Sequence, residues 1–156
     1  MTAQGFDRAL PYVRTPVDLH SRAGFVFEGT EPDAPIGDSG AVLGGAAGLE
    51  VDRMDFALGT PPGTQLLAQA SGFSDSYQHV VEEVTTSDSR QGGSVNPLVR
   101  ADMVLFETPE GGAVFSVGSI AWCGSLLPRE SASAPSRITA NVLERFLSDR
   151  VLDKAP

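Results

Sequence analysis

Glu50 and Asp52 alternate with Leu49 and Val51, so an extended backbone there sends both carboxylates to one face. Paired acids are what general acid/base chemistry uses, one group taking a proton and another returning it. Arg53 follows directly and is placed to hold one of them ionised. The same alternation describes an ordinary exposed strand edge, and both readings stay open. Glu107 ends a β-rich run, and ligands of open α/β sheets collect at strand ends, which makes it a third candidate catalytic acid.

Two other constellations carry weaker chemistry. His79, Glu82 and Glu83 have i, i+3 and i+4 spacing, so a helix would put one nitrogen and two oxygens on a single face, as a metal or a solvated surface could use. Gly37-Asp38-Ser39-Gly40 matches the nucleophile tetrapeptide of chymotrypsin-like proteases. His20 is its only upstream histidine and the chain is too short for two barrels, so the segment is read as a turn. Trp122 and Cys123 are expected in the core. With Cys123 as the one cysteine, neither an intrachain disulfide nor a thiolate metal cluster can form within the chain.

The elements that must position these groups follow from apolar patterning and turn residues. Ala23 to Glu28, closed by Gly29, reads as a buried strand. Glu31 to Gly40 reads as a loop, and the Gly-rich stretch Ala41 to Leu49 as a short helix or turn. Thr64 to Ala70 reads as a strand after the turn signal Thr60-Pro61-Pro62-Gly63, and Ser76 to Glu83 as a helix. Asp102 to Glu107 and Ala113 to Val117 flank Pro109-Glu110-Gly111-Gly112 and predict a hairpin. Ile138, Val142, Leu143, Phe146 and Leu147 share one face of a final helix, with Ser136 expected as its N-cap. The whole predicts one α/β domain over residues 1–156, a sheet flanked by helices, entered by an extended lead-in over 1–22 that carries Pro11 and Pro16.

Composition limits the partners. The 20 acidic and 11 basic side chains give a net charge of -9, which repels phosphate backbones and anionic lipid, so neither nucleic acid nor membrane is an expected partner. No run approaches the ~20 apolar residues of a membrane span, and the first ten residues lack a signal peptide's basic and apolar regions, so a cytoplasmic location is expected.

Six segments, among them IGDSGAVLGGAAGLEVDR, LGTPPGTQLLAQASGFSDSYQHVVEE and NPLVRADMVLFETPEGGAVFSVGSIAWCGSL, resemble in order the C-terminal region of the large subunit of N,N-dimethylformamidase and its relatives. The resemblance implies part of a class I glutamine amidotransferase-like domain, in an enzyme that hydrolyses dimethylformamide to formate and dimethylamine. It also implies a catalytic iron held by two Tyr and one Glu, ligands that align upstream of everything present here. This chain is then expected to bind no metal alone.

The resemblance adds weight to Glu50 as an acid facing the active site. Its substrate-facing candidates are His79, Phe73 and Trp122. Phe73 stands where relatives tend to carry a His, and Pro128 to Pro135 replaces an Asn-rich loop. Two functions are weighed: the C-terminal domain of an amide hydrolase acting on small amides, inactive without the iron-bearing region, or a non-catalytic, vestigial, self-associating domain. Either way an unpaired sheet edge and exposed apolar surface are expected, leading to a homo-oligomer or to association with another subunit.

Overall fold

The computed structural model describes residues 6–16, 22–80, 90–126 and 133–148. Their fold is mixed α/β. Strands β1 (Val13–Arg14), β2 (Gln65–Ala70), β3 (Ala101–Glu107) and β4 (Ala113–Ser116) lie in spatial order β1-β2-β3-β4, every pairing antiparallel. The β3–β4 hairpin forms where expected, because β-rich runs flank a turn closed by Thr108 N–H to Gly112 O at 2.8 Å. In β2 the register shifts between Leu66 and Ala68. The irregularity leaves the Leu67 carbonyl to Thr15 N–H at 3.0 Å, while the Leu67 side chain is fully buried.

Residues 6–16 do more than lead in. Pro11 and Pro16 bracket an extended stretch that suits a sheet edge, and Leu10 and Tyr12 bridge to Ala47 and Ile36. A second correction concerns residues 23–28: Gly24–Phe27 is a 3-10 helix, not a strand. A four-residue apolar run does not distinguish the two by periodicity. Here the Asn141 side-chain amide donates to Val26 O at 3.1 Å and Glu28 O at 2.8 Å, filling carbonyls that a strand would offer to a neighbour.

Residues 41–49 form turns. Over 76–80 the expected helix is replaced by a turn at Ser76 and a bridge at Gln78, because His79 N–H donates to Gln91 O at 2.8 Å and Gly93 N–H to Tyr77 O at 2.9 Å. Residues 81–83 lie outside the described residues, so the His79, Glu82 and Glu83 face loses its helical basis where it can be followed.

Helix α1 (Ala134–Leu147) is capped by Ser133, whose hydroxyl accepts from Ser136 N–H at 3.3 Å; Ser136, the expected cap, instead donates its hydroxyl proton to Leu126 O. Ile138 and Val142 enter the core, whereas Leu143, Phe146 and Leu147 are exposed. The helix packs on the short helices Gly24–Phe27 and Ile120–Ser125. One apolar core joins Tyr12, Leu67, Met103 and Leu105 to Val26, Trp122 and Ile138. Full burial of such a side chain is worth about 1.5–3 kcal/mol. No described helix is long and apolar enough to cross a membrane.

Candidate functional site

Gly48 begins the segment that carries the candidate acids. Its N–H donates to Ser119 Oγ at 2.8 Å, and its carbonyl accepts from that hydroxyl at 3.0 Å. Leu49 comes next with φ 64, a left-handed conformation that costs a branched residue roughly 1–2 kcal/mol. Its N–H donates to Tyr77 Oη at 3.1 Å. Val51 then bridges Ser119, Asp52 N–H donates to Gly118 O at 3.0 Å, and Asp52 O accepts from Asp102 N–H at 2.9 Å. Gly118 has to be glycine: its φ is +60, and a Cβ there would sit 2.6 Å from Asp52 O.

Glu50 stands in the middle of this pinned segment. It is exposed and makes no hydrogen bond or ion pair with another described residue. Asp52 is exposed in the same way, and Val51 between them is half-buried, so the alternation read from the sequence survives in the fold. Backbone strain that the surroundings over-determine is enriched at functional sites.

Arg53 does not serve either acid, contrary to expectation. Its guanidinium donates to Asp55 Oδ2 at 2.8 Å and lies 3.2 Å from His79 Nε2. A guanidinium can only donate, so His79 Nε2 is the accepting atom of this contact. Arg53 also holds the Asp55 carboxyl below its usual range. Below this pair, the buried Asp102 accepts from Gln69 Nε2 at 2.9 Å, Met54 N–H at 2.8 Å and Arg100 Nε at 3.0 Å. Asp52, Arg53, His79 and Arg100 border a cleft of about 260 Å³ rimmed by Leu58, Val80 and Leu98.

The remaining candidates lie elsewhere. Glu107 ends β3, five residues and so roughly 17 Å from Asp102. Both its oxygens accept from Arg22 Nη1, at 3.0 and 2.9 Å, beside a separate cleft of about 510 Å³. Phe73 is 1% exposed and its ring lies 4.5 Å from that of Tyr77, so it bears on the site only through Tyr77. Trp122 is buried, donating through Nε1 to Thr139 Oγ1 at 3.1 Å and meeting the Tyr12 ring edge-on at 5.9 Å. Cys123, expected in the core, is exposed. Gly37-Asp38-Ser39-Gly40, read as a turn, is an irregular stretch bent at Asp38, in which Gly37 O accepts from Ala46 N–H and Ser39 O from Ser125 Oγ.

A ligand set of two phenolates and a carboxylate finds no match here. The chain has two tyrosines, Tyr12 and Tyr77. Tyr12 is fully buried, donates to Val117 O at 2.5 Å, and has its pKa pushed far up by burial. Tyr77 donates to Arg8 O at 2.7 Å and accepts from Leu49, and burial raises its pKa too. Both phenols are held in the protonated form that a ligand must lose. Among the described residues, no three His, Cys, Asp or Glu side chains are grouped as a metal site.

Sequence reasoning missed Tyr77 and Ser119, which hold the Glu50 segment. Neither lies near it in the chain, and neither carries a motif.

Comparison with known proteins accounts for nearly the whole sequence. The chain is 41% identical over 149 residues to the N,N-dimethylformamidase beta subunit of Paracoccus aminophilus, and 40% identical over 149 residues to that of an Alcaligenes species. Each match covers 96% of this chain and 20% of the relative, so the chain spans about one fifth of the length of these curated proteins. A family described as N,N-dimethylformamidase beta subunit-like, C-terminal matches residues 1–134. The chain belongs to the N,N-dimethylformamidase beta subunit-like, C-terminal family.

Proposed function

We propose that the chain supplies the acid/base face of an N,N-dimethylformamidase-type amide hydrolase, with Glu50 as the group that moves the proton. The observation that supports it most is the exposed carboxylate of Glu50, without a partner among the described residues, on a backbone strained at Leu49 and pinned on both sides. Hydrolysis of a small amide needs one proton removed from the attacking water and one delivered to the amine nitrogen as the C–N bond breaks. A single carboxylate does both in turn, and the products are a carboxylate and an amine. Asp52, on the same side of Val51, is the second acid within reach of that surface.

The iron of the complete family enzyme belongs, in this proposal, to a part of the assembly outside the described residues, since neither phenol here is free to ligate. Adding ferric iron to the purified chain then gives no tyrosinate-to-iron absorption band. Such a band would overturn this point. The class I glutamine amidotransferase-like architecture would likewise describe a wider domain, of which this antiparallel sheet forms one part.

Association with another polypeptide fits the sheet edges. β1 is two residues long and bracketed by prolines, which blunts it, whereas β4 has no charge or proline along Ala113–Ser116. Exposed Val114 lies on that edge, and Leu143, Phe146 and Leu147 are exposed on α1. A monomer in light scattering at micromolar concentration would contradict self-association. The functional proposal itself is tested by amide turnover in a complete beta-type subunit with Glu50→Gln at the aligned position; undiminished turnover would remove Glu50 from the reaction.

A further inference from the structure

We infer that Tyr77 is the positioning residue for Glu50, fixing the direction of its carboxylate through the backbone of Leu49; this rests on the role of Glu50 proposed above and extends it. Leu49 at φ 64 is in a region that a branched residue occupies only when its surroundings hold it there. The hold on its amide is one bond, Leu49 N–H to Tyr77 Oη at 3.1 Å. On the other side of Glu50, Val51 bridges Ser119 and Asp52 N–H donates to Gly118 O at 3.0 Å. Residue 50 is therefore held between the Tyr77 phenol on one side and the Gly118-Ser119 backbone on the other.

The phenol is built as a fixed acceptor. Its single proton is committed to Arg8 O at 2.7 Å, which leaves a lone pair for the Leu49 amide. The ring is 2% exposed, with the Phe6 centroid at 4.7 Å and the Phe73 centroid at 4.5 Å. Its backbone is tied by Tyr77 N–H to Ser74 O at 3.1 Å and by Gly93 N–H to Tyr77 O at 2.9 Å. Gly48 leaves the room: a Cβ there would come within 3.0 Å of Tyr77 Oη and 2.6 Å of Ala9 Cβ.

This gives Phe73 a part as well. An imidazole at 73 would bring a polar edge against the Tyr77 ring, whereas the phenyl supplies an apolar face that keeps the phenol in place.

Tyr77→Phe keeps the ring between Phe6 and Phe73 and removes the hydroxyl, so it separates positioning from packing. In the purified chain, amide exchange at Leu49 is expected to quicken roughly fivefold to tenfold, the value of one lost hydrogen bond, while the paired residues of β3 keep their protection. Unchanged exchange at Leu49, or equal loss of protection across the sheet, would overturn the inference.

In a complete beta-type subunit carrying this segment, Tyr77→Phe is expected to lower kcat by about tenfold to a hundredfold with KM held. Added to Glu50→Gln it should cost nothing more, because a residue that acts through Glu50 has nothing left to position. An additive loss in the double variant would contradict the inference. Full turnover in Glu50→Gln alone would instead sink the reading of Glu50, and with it any group for Tyr77 to position, while the exchange result at Leu49 would stand by itself.

Discussion

Met54 hands its backbone N–H to the buried carboxylate of Asp102 at 2.8 Å, and this bond joins the central strand β3 to the segment that presents Glu50. The same carboxylate accepts from Gln69 on β2 and from Arg100, so an acid inside the sheet organises the backbone of a neighbouring loop. Arg100 in turn donates to Met54 O at 3.1 Å, closing a ring of bonds around Met54. The Asp102 side chain thus adds to the backbone bonds that couple the sheet to the candidate site.

Removing that carboxylate should be costly. Asp102→Ala leaves Arg100 Nε, Gln69 Nε2 and the Met54 amide without this acceptor, and breaking such a buried pair costs roughly 3–5 kcal/mol. Urea denaturation measures it. A loss under about 1 kcal/mol would show that the network does not support the loop.

Glu50→Gln should behave in the opposite way. The side chain is exposed and has no described partner, so stability should stay within about 0.5 kcal/mol of the parent in the same urea experiment. A larger loss would mean that Glu50 holds structure.

Ser133→Ala removes the hydroxyl that accepts the Ser136 N–H at the start of α1, and should lower stability by about 1 kcal/mol. Helical circular dichroism during thermal unfolding is the readout. No shift in the midpoint would return the capping role to another residue.

Stability should fall on the alkaline side. Burial raises the Tyr12 phenol above its ordinary value of 10.0, and Tyr77 moves the same way. The folded protein therefore favours the neutral phenols. That contribution is complete below the unfolded value of 10.0 and is lost as pH rises toward the folded values. Phenolate absorbance should appear together with loss of tertiary signal. Ionisation of both tyrosines near pH 10 with the fold intact would contradict it.

The parts of the fold legible in the sequence were those decided by near neighbours. Alternation and turn residues announce β2 and the β3–β4 hairpin, and helical spacing announces α1. Residues 24–27 were not legible because Asn141, far along the chain, takes the carbonyls of Val26 and Glu28. His79 fails as a helical residue for the same reason, since its backbone pairs with Gln91.

At the candidate site, the alternation of Glu50 and Asp52 was visible and persists. The strain at Leu49 was not, because nothing local calls for a left-handed leucine. It follows from Tyr77 and Ser119, which reach the segment through tertiary contacts. The exposed apolar end of α1 was equally hidden, since helical periodicity reports which residues share a face but not how much of that face finds a neighbour.

The most direct test is amine release from dimethylformamide by the Paracoccus aminophilus beta subunit in which the matching segment is replaced by this sequence, with and without Glu50→Gln. Turnover by the replaced subunit, falling at least about a hundredfold once Glu50→Gln removes the acid, is the predicted result. Equal turnover with and without the carboxylate would contradict the account.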